Sequence, residues 1–104
     1  MSEAGMDGSA LLEALFELAN RAGVEVRILS AAAAAAENAP SGSTAGRVGQ
    51  RIWVILAPDD PPLHQAGVLA GALARYRAEF LEDHFVPPGV RNFIDRAGAD
   101  PGAR

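Results

Sequence analysis

The sequence predicts an α+β domain in the order helix, three-stranded antiparallel meander, long helix and short C-terminal helix. Three observations carry that prediction. Apolar residues recur with helical period over 10–22, apolar and charged residues alternate over 24–29 ahead of a hairpin signal at Gly49-Gln50, and a second helical period follows Asp59-Asp60-Pro61-Pro62. At 104 residues, one domain accounts for the whole chain.

In the first helix Leu11, Leu12, Leu15, Phe16, Leu18, Ala19 and Ala22 form one face, with Glu13, Glu17, Asn20 and Arg21 largely opposite. Gly23 suits the left-handed position that ends a helix, and Arg21 complements the C-terminal end of the helix dipole. Val24 to Leu29 reads as a strand with Val24, Val26 and Ile28 on the core side. The polyalanine run 31–36 has no apolar face, and 37–43 is rich in Asn, Pro, Ser and Gly, so 30–43 reads as a mobile loop. Ala45 to Val48 and Arg51 to Leu56 flank Gly49-Gln50, where glycine supplies the positive φ of a type II′ turn. The second arm is almost entirely apolar, as expected of a central strand.

Asp60 is expected to cap a helix that begins at Pro61 and runs to about Phe80. Its apolar face is Leu63, Ala66, Leu69, Ala70, Leu73 and Tyr76 or Phe80, and Gly67 and Gly71 are read as permitting close approach to the sheet. Pro87-Pro88 opens a short helix, Gly89 to Ala97, which Gly98 ends. The expected domain is 10–97, with flexible residues 1–9 and a disordered tail at 98–104.

Composition excludes more than it assigns. Without cysteine there is no disulfide, thiolate metal site or Cys nucleophile. A net charge of -4 has the wrong sign for bulk neutralisation of phosphates, so nucleic acid is not the expected partner. The absence of a long apolar run or a basic-then-apolar N-terminus predicts a cytoplasmic chain with no membrane partner.

No catalytic, metal or cofactor residue is assigned. His64 and His84 lack a second ligand at zinc spacing, and Glu82-Asp83-His84 reads as a solvated corner. Ser2, Ser9, Ser30, Ser41, Ser43 and Thr44 lie in no nucleophile elbow, and capping accounts for Asp59 and Asp60. Gly42 to Gly46 lacks the lysine of a phosphate loop and leads into a strand. Two surfaces are left as candidates. Trp53, Phe85, Val86 and Phe93 form an apolar interaction surface near a proline-stiffened segment, and Arg27, Arg47 and Arg51 form a basic stripe on the solvent face of the sheet, where pairing with Glu25 is the ordinary alternative.

The order of helix, meander ending in Ile52 to Leu56, and helix from Pro61 resembles the minimal scaffold of ImmA/IrrE-type zinc metallopeptidases. Leu11 to Leu29, Gly46 to Leu56 and Phe85 to Ile94 are also similar to a group of short uncharacterised bacterial proteins. The peptidase resemblance, which spans about residues 10 to 96 in element order, implies a His-Glu-x-x-His motif on the helix after the meander. The matching stretch, Ala66 to Ala74, contains no such ligand, so the resemblance implies a scaffold without the zinc chemistry.

The leading expectation is a non-catalytic protein-interaction or accessory module, bacterial, docking a partner protein or itself as a homodimer. The alternatives are a small-ligand binder or enzyme with a cleft between the sheet and helix 61–80, using His64, His84 or Asp60, and weak RNA binding through Arg27, Arg47 and Arg51.

Overall fold

A computed structural model of the chain describes residues 7–35 and 42–99. Helix α1 spans Gly8–Arg21, starting two residues earlier than its apolar period because the Asp7 carboxylate accepts the Ala10 N–H at 2.8 Å. Gly23 follows it with φ of 80°, the left-handed conformation expected there. Strand β1 is Val24–Ile28, and a single helical turn, α2 at Ala31–Ala34, follows with the Ser30 hydroxyl accepting the Ala33 N–H. The proposed mobile loop 30–43 is thus helical where it starts; its residues 36–41 lie outside those described, as do 1–6 and 100–104.

Strands β2 (Thr44–Val48) and β3 (Arg51–Leu56) form the expected hairpin, with Gly49 at φ 61°. The sheet itself corrects the expected antiparallel meander. Its order is β1-β3-β2, β3 is central, and β1 runs parallel to it, with Val24 opposite Ile52 and Ile28 opposite Leu56. The physical reason lies in the connection. The Leu29 N–H bonds Leu56 O at 3.1 Å, and Thr44 lies opposite Ile55, so β2 starts at the end of the sheet where β1 finishes. β1 then pairs with the far side of the apolar β3 instead of with β2, which makes that pair parallel.

The long helix also differs from expectation. α3 is Pro62–Tyr76 and α4 is Ala78–Asp83, separated by Arg77 at φ -131°, ψ 34°. Apolar spacing continues across that break, so local sequence does not cause it. Arg77 is held by three carbonyls, donating from Nε to Ala22 O at 2.9 Å, from Nη1 to Tyr76 O at 3.2 Å and from Nη2 to Gln50 O at 3.2 Å, and it ties the end of α1 to the β2–β3 turn. At the other end the helix starts at Pro62, not Pro61. A residue before proline is disfavoured in the α region, and Pro61 is accordingly extended at ψ 150°. α5 runs Pro88–Ala99 and passes through Gly98 instead of stopping there.

Helices α1 and α3 cover one face of the sheet. Leu11, Leu15, Leu18, Val24, Ile52, Val54, Leu56, Leu69 and Leu73 are buried between these layers, and Ile94 and Val90 of α5 close over α3. Gly98 allows that approach, since a methyl placed there would lie 2.7 Å from Ala74 Cβ. Among the described residues no polar or charged side chain is buried. No helix among the described residues is long and apolar enough to cross a membrane.

Candidate functional site

A cleft of about 550 Å³ opens where β2, α3 and α5 converge. One end holds Ser43, His64 and the exposed Leu63, and the floor is Val68, Ala72, Phe93 and Ala97, with Gly67 and Gly71 on the same face of α3. Arg75 and Arg96 line the same cleft, and the contact of Gly98 with Ala74 brings the last turns of α3 and α5, which carry them, together. The volume lies in the range typical of small-molecule sites.

The glycines correct the close-packing reading. A Cβ added at Gly67 or Gly71 would meet no atom within 4 Å, so neither lets the helix approach anything. What they remove is side-chain volume from the cleft. Glycine inside a helix costs about 0.5–1 kcal/mol relative to alanine, and here no packing contact offsets that cost.

Asp60 does not cap α3. Pro62 has no N–H to offer, and the carboxylate turns to the start of β2, where Oδ2 accepts the Ser43 hydroxyl at 2.7 Å and the Ser43 N–H at 2.9 Å. Those two bonds, the hydroxyl first, hold the Asp60 pKa below its ordinary value; His64 adds a smaller effect in the same direction, and desolvation opposes them. Ser43 Oγ in turn accepts the Ala57 N–H at 2.9 Å, and Gln65 Nε2 donates to Ala57 O at 2.7 Å. This network fastens the start of the edge strand to the segment that leads into α3.

Ser43, Asp60 and His64 come together, but not as a nucleophilic triad. In that arrangement the imidazole stands between hydroxyl and carboxylate, whereas here the hydroxyl bonds the carboxylate directly and His64 Nε2 lies 3.7 Å from the same oxygen. The His64 side chain is also 59% exposed. His84 is remote in the chain and exposed, stacked on Phe80 with ring centroids 4.0 Å apart. No cluster of three metal-ligating side chains occurs among the described residues.

The remaining candidates are dispersed. Phe93 lines the cleft, Val86 is buried, and Phe85 is 79% exposed on the segment between α4 and α5. Trp53 lies on the sheet face that the helices leave uncovered, its indole over Gly46, so the four residues do not form one surface. The basic stripe is split in the same way. Arg27 pairs in register with Ile55 and Arg51 with Val48 on the uncovered face, whereas Arg47 pairs with Ile52 on the helix side, 5.7 Å from the Tyr76 ring. Arg51 binds Glu25 at 2.7 Å, the ordinary cross-strand pairing.

The cleft was legible in the sequence only as a space beside helix 61–80; its α5 wall and the contributions of Arg75 and Arg96 were missed, because no local signal says that α5 packs on α3. The fold is thus an α+β domain with a mixed sheet and a cleft at its β2 edge. Compared with protein-family models, curated proteins and solved structures, the chain matches none.

Proposed function

We propose that this chain is a non-catalytic module that binds a small molecule in the cleft between β2, α3 and α5. The observation that carries this reading is the pair of helix-interior glycines, Gly67 and Gly71, whose missing side chains leave room in the cleft and serve no packing contact. Binding is favoured over chemistry because Ser43 is engaged by Asp60 and Ala57, and His64 approaches neither as a base for the hydroxyl. In the ImmA/IrrE-type peptidases that the element order resembles, the helix corresponding to α3 would bear the zinc ligands; here the face α3 gives to the cleft is Leu63, His64, Gly67, Val68, Gly71, Ala72 and Arg75, with one histidine and no partner ligand a turn away.

The neutral dye Nile red tests the reading. Saturable emission from wild type should be lost in Gly71→Leu, whose Cβ meets no atom within 4 Å and whose side chain takes up cleft volume, and kept in Trp53→Ser on the opposite side of the sheet. Undiminished emission from a correctly folded Gly71→Leu would overturn it.

A second reading, protein interaction by self-association, is favoured by the uncovered face itself, which carries Trp53 and Ile55, half-buried, and Val48, 69% exposed. Light scattering at two protein concentrations decides it. A dimer that Trp53→Glu dissolves supports this reading, and a monomer at both concentrations removes it. RNA binding through Arg27, Arg47 and Arg51 loses its geometric basis once Arg47 faces the helices and Arg51 is paired.

A further inference from the structure

The charge around the cleft is the reverse of the charge on the chain. Acidic residues outnumber basic ones by 13 to 9 in the sequence, yet the cleft is lined by Arg75, Arg96 and His64 and by no Asp or Glu. Asp60 is bonded to Ser43 at the His64 end, with its Oδ2 already accepting two hydrogen bonds, and Asp95, next to Arg96 in the chain, is paired with Arg91. The two guanidiniums therefore dominate the other part of the cleft. Each is carried at an exposed position at the edge of an apolar floor, so an anion reaching them from the cleft keeps contact with water while its remainder lies against Val68, Ala72, Phe93 and Ala97. Arginine presents a planar fork of donors that matches carboxylate and phosphate oxygens. Arg75 is further oriented by the Tyr76 ring, 5.7 Å from its guanidinium carbon.

We infer that the cleft takes a small anionic amphiphile, with its carboxylate or phosphate oxyanion at Arg75 and Arg96 and its apolar body along the floor that Gly67 and Gly71 leave open. This inference rests on the reading of the cleft as a binding site and adds the chemical class of its ligand. The glycines supply the volume and the arginines select the charge.

The experiment is a titration of the full chain, followed by amide chemical shifts, with octanoate, octyl phosphate, octanol and octylammonium. The anions should shift the Gly67, Gly71 and Ala97 amides saturably, and octanol and octylammonium should bind at least about tenfold more weakly, the loss expected for one charge-assisted contact. Arg75→Gln with Arg96→Gln should bring octanoate down to the octanol level, and Gly71→Leu should abolish binding of all four while its amide spectrum remains dispersed. Equal affinity for octanoate and octanol, or an unchanged response in the double arginine variant, would overturn the charge selection and leave the cleft reading standing. If none of the four probes shifts those amides, both the inference and the reading beneath it fail.

Discussion

The two faces of the sheet are made from the same three strands and obey different rules. On the helix side Ile52, Val54 and Leu56 of β3 are buried against α1 and α3, and every polar neighbour is kept to the edges. On the other side the intervening residues Arg51, Trp53 and Ile55 face no helix, and the surface mixes an aromatic, an aliphatic and an ion pair. A strand with alternate residues in such different surroundings shows what apolar content alone does not reveal. β3 is apolar on both sides, but only one side is sealed, and the fold places its cleft at the edge of the sealed side. Parallel sheets are usually covered on both faces, whereas in this mixed sheet the described helices cover one face only.

The contrast can be broken most directly by truncation. Leu73→Ala, at a position with no solvent exposure, should cost about 3 kcal/mol in urea unfolding, whereas Ile55→Thr on the bare face should cost less than about 1 kcal/mol. Comparable losses would mean that the bare face is covered in solution. Next in size is Arg77→Ala, which leaves the carbonyls of Ala22, Tyr76 and Gln50 without this donor and should lower stability by about 2 kcal/mol. The glycines sharpen the comparison with opposite signs. Gly98→Ala meets Ala74 and should destabilise by about 1 kcal/mol, while Gly71→Ala meets nothing and should stabilise by about 0.5–1 kcal/mol, both read from thermal midpoints.

The smallest effect is the one set by pH. The Asp60 pKa is depressed in the folded chain, so its contribution is fully present above the ordinary carboxylate value, near pH 4, and is lost as the pH falls through the folded value. Thermal midpoints measured from pH 6 downward should therefore drop less steeply below about pH 4 in Ser43→Ala than in wild type. Parallel curves would mean that the Ser43 bonds do not set the charge state of Asp60.

Much of this fold is legible along the chain. The period of Leu11 to Ala22, the alternation of Val24 to Ile28 and the turn at Gly49-Gln50 depend on contacts only a few residues apart, and each matches an element in place. Expectations failed where the deciding partner is distant. Asp60 looks like a cap until Ser43 supplies two donors, Gly67 and Gly71 look like packing residues until the space beside them is known, and Arg47 looks like a neighbour of Arg51 until the pleat places them on opposite faces. The cleft belongs to this second group, because its walls come from three elements and no one of them carries a motif.

The sequence by itself determined the first helix, the helical periods after Asp60 and after Pro87, the hairpin, the apolar central strand and the absence of thiol chemistry, since propensity, periodicity and residue inventory are local properties. Only the tertiary structure decided that β1 lies parallel to β3, that the long helix breaks at Arg77, and that Arg75 and Arg96 line one cleft. Those outcomes follow from which buried surfaces and backbone carbonyls find partners across long stretches of chain, and that competition is settled by the whole fold at once.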